Sequence, residues 1–151
     1  MTPGVTRYHL VRDLCFSKDS RWLYAGADGG WLAMIDTASC QVRAKWQGHQ
    51  GDVHTVAIVP NGILASGGPD RLVRLWDVKS ALEPSASHPN ELARWEAHAA
   101  AISALTFTPD GKTLVTGHTD GTIKLWDLPW LYNELKWLGL DWQLSSELDR
   151  R

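Results

Sequence analysis

His49, Ser66 and Asp70 lie in one short stretch, and the same chemistry returns as His98, Thr116 and Asp120. Hydroxyl, imidazole and carboxylate are the parts of a nucleophilic hydrolase: the imidazole takes the hydroxyl proton and the carboxylate holds the ring. Two features argue against that chemistry. The set occurs twice, whereas a hydrolytic centre is normally unique and carries its own oxyanion hole. Each set is also followed, ten residues after its hydroxyl, by a tryptophan, Trp76 or Trp126. An indole N–H only donates and a carboxylate only accepts, while hydroxyl and imidazole do both. The four groups therefore suit a buried relay of hydrogen bonds better than a reacting site.

Metal chemistry is no better supported. Of six histidines, His49 and His98 belong to the two sets, and His9, His54, His88 and His118 show no ligand spacing. No phosphate-binding loop, dinucleotide fingerprint or kinase signature is present. No catalytic residue, metal or cofactor is expected.

The elements that must hold these residues repeat with them. Thr113–Leu128 reads as a hairpin: an apolar run from Leu114, the Asp120-Gly121 turn, then alternation through Ile123, Leu125 and Trp126. Asp36, Asp77 and Asp127 close three such runs, spaced 41 and 50 residues apart. The longer interval holds the polar, Pro/Ser-rich stretch Ser80–Glu91, expected to be a surface loop. The first unit parses into strands at Val11–Phe16, Trp22–Ala25, Trp31–Asp36 and Gln41–Trp46. The second parses into Val53–Val59, Ile63–Gly67, Leu72–Val78 and Ala93–Glu96, and the third into Ile102–Thr108, Thr113–Thr116 and Thr122–Leu128. Four short strands per unit describe one antiparallel sheet, the blade of a propeller.

These units resemble the WD-repeats of the β-propeller family. Gly48-His49, Trp76-Asp77, Ala97-His98 and Trp126-Asp127 carry the likeness, with the turns Pro109-Asp110-Gly111 and Asp120-Gly121. The resemblance implies an all-β fold: three WD-type blades, four-stranded antiparallel sheets at about 10–49, 50–98 and 99–128, ahead of a short C-terminal α-helix and tail over 129–151. It implies structural tetrads at His49, Ser66, Asp70 and Trp76 and at His98, Thr116, Asp120 and Trp126. In the first blade the matching positions are Arg7, Ala25, Gly29 and Ile35, so that blade is expected to depend on apolar packing and to be the least rigid. Partner-binding rim positions, by the same resemblance, are Asp28, Asp52, Pro69, Ala101 and Thr119.

Composition narrows the classes. Fifteen Lys and Arg against seventeen Asp and Glu give a net charge of −2, scattered rather than clustered, which excludes a nucleic-acid footprint. Apolar residues at 44% support a core. Met1–Leu10 lacks the pattern of a signal peptide and no apolar stretch reaches membrane-spanning length, so a cytoplasmic protein without membrane contact is expected. Cys15 and Cys40 are read as small, buried or half-buried thiols of a reducing compartment.

Three blades do not close a ring, since propellers have about four to eight. Either copies self-associate, a dimer of six blades being favoured over a trimer of nine, or the chain is part of a longer one. The third unit has no evident fourth strand, and residues 4–9 are expected to supply it to a neighbouring copy. Asp127, Pro129, Leu131, Leu135 and Leu138 predict a helix over about Trp130–Leu138, stopped by Gly139. The expected role of that helix is to cover an open edge or face of a blade. The function expected is a non-catalytic scaffold for protein partners. The alternative is the C-terminal sensor or regulatory segment of a larger signalling protein. Leu135–Trp142 resembles the tail after the last repeat in some bacterial, planctomycete-type WD-repeat proteins, including serine/threonine kinases.

Overall fold

The computed structural model describes residues 9–137, and within them the chain forms three antiparallel sheets in sequence. The first contains β1 (Val11–Phe16), β2 (Trp22–Ala27), β3 (Trp31–Asp36) and β4 (Gln41–Gln47), paired in that order. The second repeats the meander with β5 (Thr55–Ile58), β6 (Ile63–Gly67), β7 (Leu72–Asp77) and β8 (Asn90–Glu96). The third holds β9 (Ile102–Phe107), β10 (Thr113–His118) and β11 (Ile123–Asp127). It is three-stranded among the described residues, so the outer position beside β11 is open there.

Local chemistry sets the turns. Gly121, at φ 86°, reaches the left-handed region that its turn requires. Asp120 Oδ1 accepts from both the N–H and the hydroxyl of Thr122, at 3.0 and 2.7 Å. Asp110 accepts in the same way from Thr108 Oγ1 and Lys112 N. Register then makes the sheets superposable in sequence terms: Leu14 pairs with Ala25, Val56 with Ser66 and Leu105 with Thr116.

The core lies between sheets rather than within any one of them. We call the face of a blade turned toward its predecessor leading and the opposite face trailing. Tyr24, Leu32, Met34 and Trp46 of the first trailing face pack on Val53, Leu64 and Trp76 of the second leading face. Val73 and Leu75 of the second trailing face pack on Ile102, Leu105 and Leu114 of the third leading face. Backbone bonds repeat across both junctions, Val53 N to Ala27 O at 3.0 Å and Ile102 N to Gly68 O at 3.1 Å. A second pair repeats one step along: Val56 N donates to Asp13 Oδ2 (2.9 Å), and Leu105 N donates to Thr55 Oγ1 (3.1 Å).

Several expectations shift. The stretch Ser80–Glu91 is not loop throughout: a 3-10 turn spans Val78–Leu82, and Asn90 and Glu91 already belong to β8. Ser80 Oγ pins the base of the insertion, donating to Asp77 O and accepting from Asn90 N. Cys40 is exposed, not buried, because it occupies a turn at φ 56°. Cys15 is half-buried, and burial, then the charge of Asp13, pushes its thiol up to about 12. The helix α1 (Leu128–Trp137) begins two residues early, with Asp127 Oδ1 accepting from Trp130 N at 2.9 Å. Leu128 and Leu131 pack into the second core while Trp130 stays exposed. The helix leaves the trailing face of the third blade open, where Ile123 and Leu125 are exposed. Arg7, Gly139 and the closing segment 4–9, apart from His9, lie outside the described residues.

Candidate interaction surfaces and polar relays

In the second blade the four expected residues meet. Trp76 Nε1 donates to Ser66 Oγ at 2.9 Å, Ser66 Oγ lies 2.7 Å from His49 Nε2, and His49 Nδ1 lies 2.9 Å from Asp70 Oδ2. Because the indole only donates and the carboxylate only accepts, the protons have one consistent arrangement: Trp to Ser, Ser to His, His to Asp. Burial raises the Asp70 pKa, but the His49 hydrogen bond and charge and the Leu72 N–H outweigh it, leaving the carboxyl below its ordinary range. The geometry is that of a hydrolytic triad, yet Ser66 is 0% exposed and its oxygen already accepts from an indole. No substrate reaches it. The relay ties the β4–β5 connection (His49) to β6, the β6–β7 turn and β7.

The third blade is wired differently. Trp126 Nε1 donates to Thr116 Oγ1 at 3.0 Å, as its counterpart does, but Thr116 then bonds His118 Nε2 at 3.0 Å. The tetrad expected with His98 is corrected accordingly: His98 makes no bond to Thr116. Its ring sits 4.8 Å from that of His118, its Nδ1 accepts from Ala100 N, and Asp120 Oδ2 lies 3.4 Å away. The reason is steric. Two residues past the hydroxyl, the second blade has Gly68, where even a Cβ would come within 2.1 Å of Asp52 O. The third blade has His118 at that position, and its ring fills the slot that His49 occupies in the blade before. The substituted relay ends badly, since His118 Nδ1 is buried without a partner. Burial, then the charge of His98, lowers the His118 pKa. The signal for this was in the sequence: Ser66-Gly67-Gly68 against Thr116-Gly117-His118.

In the first blade Ala25 and Ile35 stand where the hydroxyl and the tryptophan would be, and Gly29 replaces the aspartate. That turn is held from outside. Asp52 Oδ1 accepts from Gly29 N at 3.0 Å, and Arg12 bridges Asp28 and Asp52. The Gly29 bond and, after the opposing effect of burial, the charge of Arg12 leave the Asp52 carboxyl below its ordinary range. The five rim positions fall at one end of the sheets, in the β2–β3, β6–β7 and β10–β11 turns and ahead of β5 and β9. Asp28 and Asp52 are engaged with Arg12, Pro69 and Thr119 are exposed, and Ala101 O accepts from Thr119 N.

Open blade faces are expected of an incomplete ring, but the sequence does not single out the residues that line them. On the third trailing face Ile123 is 68% and Leu125 70% exposed, at positions where Leu32, Met34, Val73 and Leu75 are buried in the blades before. On the first leading face Val11 is 45% and Leu14 53% exposed, beside Phe16 and an apolar concavity of about 200 Å3 reaching Trp31 and Ile35. Among the described residues no three His, Cys, Asp or Glu side chains are grouped to hold a metal ion.

A chain of repeated antiparallel meanders, with Trp-Asp ending the third strand of the second and third units and a His–Ser–Trp–Asp relay in the second, is a WD-repeat propeller arc. The family described as "WD domain, G-beta repeat" matches residues 4–32, 40–77 and 89–127, and the chain belongs to that family. The second and third matches begin one residue ahead of β4 and β8, and the first begins at residue 4. The chain is 40% identical over 92 residues to "Small ribosomal subunit protein RACK1" of Brassica napus, covering 60% of this chain and 25% of that protein. It is 30% identical over 119 residues to "Pre-mRNA-processing factor 19 homolog 2" of Arabidopsis thaliana, covering 78% and 21%. With "Nuclear distribution protein PAC1" of Coccidioides posadasii identity is 28% over 141 residues, covering 78% and 28%. A chain in a crystal structure of the mitotic checkpoint complex shares the fold, with a TM-score of 0.69 at 24% identity, covering 79% of this chain and 34% of that one. The chain thus spans between 21% and 28% of the three named relatives' lengths.

Proposed function

We propose that this chain is a non-catalytic scaffold for protein partners, working as a propeller completed by self-association. The observation that carries the reading is the pair of exposed apolar faces at the two ends of the arc, each at positions buried wherever another blade follows or precedes. Uncovered, they are a liability; covered by copies of one chain, they continue the stacking already made twice within it. Two copies give six blades, inside the family range of about four to eight, and three give nine. Residues 4–9 would add the outer strand beside β11 of the neighbouring copy. The family match supports this, since its first unit starts at residue 4 in the phase where the other two start at an outer strand. The rim at Asp28, Asp52, Pro69, Ala101 and Thr119 is the surface proposed for protein partners. Absolute mass by light scattering at several concentrations tests the reading. A dimer is expected, and a monomer at every concentration overturns self-association.

A further inference from the structure

We infer that self-association is head to tail: the trailing face of the third blade seats the leading face of the first blade of a second copy, and Asp13 and Ala104 select that pairing. The inference rests on the self-association reading and adds its direction and its selecting residues.

Three features of the open faces match the closed junctions. The first is a glycine. A Cβ on Gly26 would come within 2.6 Å of Val53, and one on Gly67 within 3.0 Å of Ile102, because the next blade's inner strand presses there. Gly117 holds the same position in the third blade with only Ala104 within 4 Å among the described residues, so none of those uses the close approach it permits. Val11 is the counterpart of Val53 and Ile102, three residues ahead of the inner-strand position at Leu14, Val56 or Leu105, and it is exposed. The second feature is the apolar pair Ile123 and Leu125, buried at the matching positions of both earlier blades.

The third feature distinguishes a second copy from any other blade. At each closed junction the preceding blade supplies an acceptor for an inner-strand N–H of the next: Asp13 for Val56, Thr55 for Leu105. The third blade has Ala104 at that position and offers none. A following blade of the ordinary kind would bury an N–H without a partner. The first blade of this chain does not need one, because Leu14 N already donates to Asp13 Oδ1 at 2.9 Å. Asp13 thus serves both sides with its two oxygens. The end that offers no acceptor fits the end that requires none. The covered face is also free of a half-made relay, since Ala25 and Ile35 replace the hydroxyl and the indole.

Two exposed positions give a test that leaves the core intact: L14D on the leading face and L125D on the trailing face. Wild type is expected to run as a dimer, each variant alone as a monomer with unchanged circular dichroism, and their equimolar mixture as a one-to-one dimer through its single unaltered junction. If L14D still dimerises, the contact joins two trailing faces, and the head-to-tail inference falls while self-association stands. A mixture that stays monomeric also overturns it. A monomeric wild type removes the underlying reading itself. For the selecting residues, D13T keeps an acceptor for Val56 but strips Leu14 N. It is expected to weaken the dimer about a hundredfold, the effect of two buried N–H groups left without partners, one at each junction of the ring. Adding A104T, which copies Thr55, is expected to restore it; failure of that rescue overturns the assignment of Asp13 and Ala104.

Discussion

The second and third blades share one sheet plan and one indole–hydroxyl bond, yet one relay closes and the other does not. Trp76, Ser66, His49 and Asp70 form a chain in which every donor meets an acceptor. Trp126 and Thr116 begin the same chain and lose it to His118, whose second nitrogen is buried and unpartnered. One substitution, a histidine where its counterpart has Gly68, displaces His98 outward and separates Asp120 from the relay. The motif is therefore a volume constraint as well as a set of hydrogen-bonding types. The slot beside the hydroxyl takes one imidazole, and the nearer one in the chain wins it.

Removing the hydroxyl should separate the two blades by the widest margin. Ser66→Ala leaves the buried Trp76 N–H and His49 Nε2 unsatisfied, at about 1–3 kcal/mol for each group. Thr116→Ala should cost about 1 kcal/mol, because Trp126 is only half-buried and its relay already ends unsatisfied. Urea unfolding of both variants measures the gap, and equal losses would mean that the two relays contribute alike.

Acid should separate the blades next. His118 is a base whose folded pKa is lowered from 6.5. Its neutral form is favoured, so the unfolded chain takes up the proton first. Stability from this site is intact above about 6.5 and declines as pH falls toward the lowered folded value. Asp70 is an acid lowered from 3.8, so its contribution persists to that region and is lost only as pH falls below it. Melting temperatures across pH 7.5 to 3 should show two limbs, and H118G should remove the upper one. The same variant gives the smallest effect at neutral pH. It recreates the Gly67-Gly68 pair, loses no more than about 1 kcal/mol to backbone freedom, and should let His98 approach Thr116. A crystal structure with His98 Nε2 within hydrogen-bonding distance of Thr116 Oγ1 would check this.

Much of the fold was legible in the sequence. Strand alternation, the Asp-Gly turns and the recurrence of Trp-Asp place eleven strands within a few residues of their observed limits. The second relay was legible because all four of its residue types are present at family spacing. The third was not, because spacing alone does not say which of two histidines fills a buried slot. That an incomplete ring leaves faces open was legible, but the residues lining them escaped for another reason. Ile123 and Leu125 read like any other inward strand residues, and only the order of the blades reveals that nothing described in this chain covers them. Asp13 and Ala104 were silent for the same cause, since their roles lie across a junction and not within a repeat.

If the two ends are halves of one blade junction, amide hydrogen exchange followed against protein concentration will report both at once. Protection is predicted to rise together at β1 and β11 as the assembly forms, with the strands of the second blade unchanged. Protection that grows at only one of these ends, or at neither while mass increases, would contradict it.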